Sequence, residues 1–211
     1  MERNLPRQQS WSMGKIILVV QKPPLYERWF FRLEAPNFNQ FPLLKKLKEW
    51  DYYTYFHSVH VYHLSLLLGI RANYSGQDLR HLGYGALLHD VGKLAVPQSI
   101  LTKPGPLTTE EMAEIKKHPE AGYSMITELI ILQHHESWDG GGYPQGLQKD
   151  NIHPFSQIVS VADVYDALVS KRVYAGSRTN EEALRYISEL SGRKFNPELV
   201  KLFCWTKTTK G

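Results

Sequence analysis

The residues of this chain best suited to chemistry are histidines and aspartates that recur in short groups. His89 and Asp90 are adjacent, His118 precedes Pro119, His134 and His135 precede Glu136, and Asp163 follows Val161-Ala162. A neutral imidazole offers one nitrogen lone pair and a carboxylate offers two charged oxygens. A His-Asp pair at a helix end can therefore serve two neighbouring cations, with the carboxylate bridging them. Taken alone, such a dipeptide also fits an ordinary helix end. Two consecutive histidines inside an apolar segment are harder to explain, because each buried ring demands hydrogen-bond partners. Nitrogen and carboxylate ligands drawn from several helices are how helical bundles build dinuclear metal centres.

The segments that must position these groups read as helices. Leu43, Leu44 and Leu47 begin an apolar face, and residues 52–69 are dense in aromatics and leucine, with Gly69 as a C-cap. Residues 77–89 form a helix ending at His89-Asp90. Lys103-Pro104-Gly105-Pro106 is a loop, and Thr108 with Glu111 makes a capping box that opens a helix to about Lys117. Pro119 interrupts it, and a further helix is expected over 120–135. Gly140, Gly141, Gly142 and Pro144 form a loop, and residues 155–170 are apolar at helical spacing. Thr179 with Glu182 caps the next helix, and Asn196-Pro197 opens the last. The one strand-like run is Ile16-Ile17-Leu18-Val19-Val20, near an aromatic group of Tyr26, Trp29, Phe30 and Phe31. The expectation is an all-α bundle of about six or seven helices over 43–211, preceded by an appendage at 1–42 that holds a small β element.

Composition narrows the class. The chain has 211 residues, 42% hydrophobic and 22% charged, which excludes disordered and collagen-like chains. A net charge of +4 is weak support for a polymeric nucleic-acid partner and suits a small anionic substrate equally well. The single cysteine, Cys204, excludes an intrachain disulfide and favours a reducing compartment. The apolar run at 16–20 is too short for a membrane span or a signal-peptide core, so the expected location is the cytoplasm.

Further motifs surround the candidate ligands. Their order is His89-Asp90-x-Gly92-Lys93, Pro97-x-x-Ile100-Leu101-x-Lys103-x-Gly105-x-Leu107, His118-Pro119-x-x-Gly122, and His134-His135-Glu136-x-x-Asp139-Gly140-x-Gly142-Tyr143-Pro144-x-Gly146-Leu147. Val161-Ala162-Asp163-x-Tyr165-Asp166-Ala167-Leu168-x-Ser170-x-Arg172, Glu181-Glu182-Ala183-Leu184 and Phe195-x-Pro197 follow. This series resembles the HD superfamily of metal-dependent phosphohydrolases and, more narrowly, its HD-GYP subgroup of cyclic di-GMP phosphodiesterases. The resemblance implies a helical HD-domain bundle and a metal set of His57, His89, Asp90, His118, His134, His135 and Asp163, with Asp90 bridging. His60 and His63, on the helix of His57, read as ordinary helix residues. The resemblance also implies two divalent ions, iron or manganese. Asp90 and Lys93 would be catalytic, Lys93, Arg172, Tyr143 and Gly142 would meet the substrate, and Asp166 would support the ligands. A hydroxide between the metals would open cyclic di-GMP to linear pGpG, and a second round could give GMP. The alternatives are hydrolysis of another nucleotide or cyclic dinucleotide, and a non-catalytic sensor that signals through a protein partner.

Some positions depart from the family. Tyr53 stands where some members carry a glutamate associated with a third metal, so two ions are expected. Gln157 and Ala175 replace residues that are often basic, which points to a less cationic pocket. The segment from His118 to His134 is also shorter than usual. A helix shortened in place would rotate one ligand set away from the other by about 100° per missing residue, whereas a change within a loop would leave them together.

Overall fold

The computed structural model describes residues 42–170 and 178–204. The chain divides into two compact units, Met1–Pro42 and Leu43–Gly211, and the fold below is that of the second. The run at 16–20, the aromatic group at 26–31, Arg172 and Ala175 lie outside the described residues.

Among the described residues ten α-helices follow one another: α1 (Pro42–Trp50), α2 (Tyr52–Arg71), α3 (Gly76–Leu88), α4 (Gln98–Leu101), α5 (Thr109–Ile115), α6 (His118–Met125), α7 (Leu129–Gln133), α8 (Pro154–Val169), α9 (Asn180–Glu189) and α10 (Pro197–Cys204). Short 3-10 turns at Val91–Ala95 and Lys149–Asn151 link them. No strand forms among the described residues, so the fold class is all-α as expected. Among these residues no helix is long and apolar enough to cross a membrane.

Local chemistry sets several helix starts. The Asp51 side chain accepts hydrogen bonds from the Tyr53 and Thr54 amides at the head of α2. The capping boxes Thr108/Glu111 and Thr179/Glu182 are both formed, each satisfying amides that the first helical turn leaves unpaired. The two longest helices, α2 and α8, pack together, and α3 lies on α2. Val61, Leu68, Leu82, Ala86, Ile158, Val159, Ala162 and Ile187 form the centre of their common core. Burying each large aliphatic side chain contributes about 1.5–3 kcal/mol, so this core fixes how α2 and α8 face each other.

Three local expectations change. Gly69 does not cap α2, which runs on to Arg71 with Ala72 as its C-cap. Gly69 instead lies where α3 comes close: a Cβ there would be 2.6 Å from Leu82 Cδ2. The helix expected over 120–135 is two helices, because the backbone is extended at Ile126 and Glu128. His118-Pro119 opens α6 rather than interrupting a longer helix, and proline is tolerated there because that amide needs no helical partner. The count exceeds six or seven because segments such as Gln98–Leu101 and Leu129–Gln133 are too short to show a periodic apolar face.

One backbone crossing controls the middle of the molecule. The turn Val91–Ala95 passes over α6 so closely that a Cβ on Gly92 would lie 1.9 Å from His118 O and 2.5 Å from Gly122 N. A Cβ on Gly122 would in turn lie 3.1 Å from Gly92 N. Two glycines thus let two backbones touch, and that contact brings Asp90 beside His118. We predict that Gly92→Ala forces the segments apart and destabilises the protein by at least about 1–3 kcal/mol, as overpacking does elsewhere. Thermal unfolding measures this directly, and an unchanged midpoint would show that the crossing opens at no cost.

Candidate metal centre

Three histidines share one device. His89 follows α3, His118 begins α6 and His134 follows α7. Each donates its Nδ1 proton to the carbonyl three residues earlier: His89 to Ala86 O at 2.7 Å, His118 to Ile115 O at 2.7 Å and His134 to Ile131 O at 2.8 Å. A carbonyl can only accept, so a proton is fixed on Nδ1 and Nε2 is the nitrogen left for a ligand role. His89 Nε2 is buried with no hydrogen-bond partner. His118 Nε2 lies 3.2 Å from His134 Nε2 and 3.2 Å from Asp90 Oδ1. Burial, reinforced by the neighbouring histidines, holds His134 well below the ordinary histidine pKa. Burial likewise lowers His135 to about 3. Nitrogen donors gathered in a buried space, with His134 and His135 resisting protonation, are matched to a cation.

The carboxylates complete two ligand groups. Asp90, His118, His134 and His135 form one, and His57, His89 and Asp163 form the other, each with its donor atoms within 4.8 Å of one another. Asp90 reaches both. Its Oδ1 faces His118, while its Oδ2 is 3.4 Å from His89 Nε2 and 3.9 Å from His57 Nε2. Burial opposes the charge on Asp90, but Lys93, His89 and His118 outweigh it and hold its pKa well below the usual carboxylate range. The Lys93 ammonium donates to Asp90 Oδ2 at 2.6 Å. Asp163 is likewise held low, against burial, by His57 and the other nearby histidines.

His57 behaves differently from the other rings. Its Nε2 is 2.9 Å from Asp163 Oδ1 and its Nδ1 is 2.7 Å from Asp166 Oδ2. Burial disfavours its protonation, yet the bonds to these two carboxylates and the field of Asp90 prevail and lift its pKa to about 9. Asp166 also accepts from His60 Nδ1 at 3.1 Å and from Ser170 Oγ at 2.9 Å. The seven residues assigned to metal by sequence thus lie in two adjoining groups. His60, read as an ordinary helix residue, joins their outer support. Its signal was the three-residue spacing from His57, which puts both rings on one helix face. His63 bonds the Val59 carbonyl of its own helix.

The glycine-rich loop closes one side. Gly142 lies against residues 136–137: a Cβ there would be 2.3 Å from Ser137 N. Tyr143 stacks on His135, with ring centroids 4.8 Å apart and an interplanar angle of 27°. Burial raises the Tyr143 pKa, and Asp90 and Asp163 raise it further, so the phenol keeps its proton. The exposed Lys116 places its ammonium 5.4 Å from the Tyr143 ring centroid.

The departures acquire physical meanings. Tyr53 lies parallel to His57, with centroids 6.2 Å apart, where a glutamate would add a carboxylate. The Gln157 amide donates to Ile152 O at 2.9 Å and Lys149 O at 3.2 Å, and accepts from Asn196 at 2.9 Å. It therefore secures a loop. The short segment between His118 and His134 bends at 126–128 and leaves their Nε2 atoms facing each other.

The HD domain family model matches residues 42–199. A cyclic di-GMP phosphodiesterase of Thermotoga maritima is 36% identical over 203 residues, covering 91% of this chain and 55% of the relative. A 3'3'-cGAMP-specific phosphodiesterase 2 of Vibrio cholerae serotype O1 is 43% identical over 125 residues, covering 54% of this chain and 24% of the relative. Among solved structures, Bd1817, a HDG"Y"P protein from Bdellovibrio bacteriovorus, matches with a TM-score of 0.59 and 26% identity over 70% of this chain and 50% of that one. The chain spans about half the length, or less, of these curated relatives. With the family match extending over most of its length, the chain belongs to the HD domain family.

Proposed function

We propose that this chain is a metal-dependent phosphodiesterase that opens a cyclic dinucleotide, cyclic di-GMP first, at a centre of two divalent ions. One observation carries the reading: the Asp90 carboxylate reaches both ligand groups, each of its oxygens directed at a different set of imidazoles. The names of the relatives support the substrate class. When bound, two such cations supply Lewis acidity toward a phosphoryl oxygen and lower the pKa of water at the site. Donors drawn from nitrogen and oxygen without thiolate suit iron or manganese.

The chain's own residues have separable tasks in this reading. Asp90 joins the two groups, and Lys93 both holds Asp90 and brings a positive charge toward a phosphodiester. Asp166 orients His57 through Nδ1, leaving Nε2 for a cation. Tyr143 presents a protonated phenol beside His135, next to Gly142. Arg172 supplies the guanidinium for bidentate phosphate binding. The domain that does this is 43–211, with 1–42 as an appendage. We place the reaction in the cytoplasm, in keeping with a single cysteine. The 43% identity to the cGAMP-specific relative favours one second reading, a preference for a mixed cyclic dinucleotide.

The direct test is hydrolysis of a panel of cyclic dinucleotides by protein of known metal content. Wild-type protein with about two ions per chain should open cyclic di-GMP, and the double variant His89→Ala/Asp90→Ala should lose turnover entirely. Hydrolysis that persists in that variant would place the reaction elsewhere. Asp166→Asn should lower metal affinity or activity about 10–100-fold, the usual effect of removing a ligand's outer partner. Arg172→Ala should raise KM with a smaller effect on kcat.

Metal loading should depend on pH with a definite sign. A His57 pKa near 9, above its ordinary 6.5, leaves that ring charged at neutral pH until a cation displaces its proton. Apparent metal affinity should therefore rise with pH and level off above about 9. The same ring stabilises the metal-free fold fully below pH 6.5, a contribution lost as pH rises through 9. Calorimetric titration with Mn²⁺ in buffers of different ionisation enthalpy would count the released proton. Affinity that stays flat across this window would remove His57 from the ligand set.

A further inference from the structure

We infer that Glu136 is a positioning residue: its carboxylate clamps the loop over 140–147 so that Tyr143 stays seated on His135. Glu136 is only 2% exposed and belongs to neither ligand group. It is the next residue after His135, yet both of its oxygens are used on the loop. Oε1 accepts from the Gln145 amide at 2.7 Å and Oε2 from the Leu147 amide at 3.0 Å. These donors lie nine and eleven residues further on, so the carboxylate ties the far arm of the loop back to its root. The loop comes down on Glu136 itself, since a Cβ on Gly142 would lie 2.5 Å from Glu136 Cα.

The seat of Tyr143 follows from this clamp. Its amide donates to His135 O at 3.3 Å, a long bond that would not hold the loop unaided. Its ring covers His135, whose side chain is otherwise partly open to solvent. Behind the loop, Trp138 N donates to Lys194 O and Lys149 N donates to Trp138 O, so the base is fixed independently of Glu136. Only the arm carrying Tyr143 depends on the carboxylate. Hydrogen bonds to a carboxylate are about twice as strong as neutral ones, and these two are partly shielded from water. Glu136 thus acts on the centre through Tyr143 and His135, and touches neither ion nor substrate.

This inference rests on the proposed function only for its kinetic consequence, so two measurements are made on the metal-loaded protein. In the first, amide hydrogen exchange is compared between wild type and Glu136→Gln, which keeps the volume but turns an amide donor toward a backbone N–H. Exchange over 143–147 should accelerate by about tenfold or more, with metal content and the exchange of α2 and α8 unchanged. Wild-type exchange in the loop would overturn the inference. Should Glu136→Gln fail to fold, Glu136→Asp keeps both acceptors on a shorter stem. Intermediate exchange is then expected, and wild-type protection would be as damaging.

The second measurement is a double-mutant cycle on cyclic di-GMP hydrolysis. Glu136→Gln should lower kcat/KM about 10–100-fold in the wild-type background, in the range for residues that orient ligands. In a Tyr143→Ala background the same change should cost less than about twofold. Losses that multiply in full would show that Glu136 does not act through Tyr143 and would overturn the inference. If wild-type protein hydrolyses none of the cyclic dinucleotides, the proposed function fails, and loop exchange alone decides the role of Glu136.

Discussion

The rest of the structure depends on holding a set of nitrogen and carboxylate donors together in one buried space. His118 and His134 bring their Nε2 atoms to 3.2 Å from each other, and Asp90 turns an oxygen toward the same space, 3.2 Å from His118 Nε2. Each ring is locked in that posture by its Nδ1 bond to a backbone carbonyl three residues earlier. Neither histidine can flip without losing a buried hydrogen bond, which would leave an unsatisfied group at a cost of about 1–3 kcal/mol. The fold therefore gathers nitrogen and oxygen donors around one buried space that a cation would fit.

The helices exist, in this light, to present ring-bearing ends. His89, His118 and His134 all stand at helix termini, where the carbonyl three residues back is available to an imidazole. The long pair α2 and α8 brings in His57, Asp163 and Asp166 from helix interiors, with a continuous apolar core behind them. The contact of Gly92 with α6 joins these halves. A side chain at that crossing would separate Asp90 from His118 even with every ligand still in the chain.

Much of this was legible before any coordinates. The ligand types, their order and their helical surroundings follow from residue chemistry, and the capping boxes at Thr108 and Thr179 are local enough to read directly. What escaped was set by tertiary packing. Gly69 looks like a helix end because glycine commonly is one, but the close approach of Leu82 overrides that propensity. The break at 126–128 has no strong turn residue, so an apolar run that is really two short helices reads as one. His60 and Glu136 were illegible for a different reason. Each acts on a residue already assigned, and the partner oxygens and amides that give them a task lie 106 positions away for His60 and up to eleven for Glu136.

The charge balance of the ligand groups bears on the proposed phosphodiester substrate. The five imidazoles of the ligand groups are neutral when they bind a cation, so Asp90 and Asp163 supply the only formal charge in the two groups, two negatives. Without cations these two charges are offset by Lys93 and by a protonated His57. Two divalent ions, as proposed, would reverse its sign and leave an excess of two positives before Lys93 is added. A centre with more carboxylates would bind cations more tightly and cancel more of that excess. Neutral imidazoles keep the ligand number high while leaving positive charge for an anion to meet. Tyr53 fits the same logic, because the glutamate it replaces would have added a carboxylate beside His57. With two ions bound, as proposed, the lack of a basic side chain at Gln157 would matter less, since the ions and Lys93 would supply most of the attraction for phosphate.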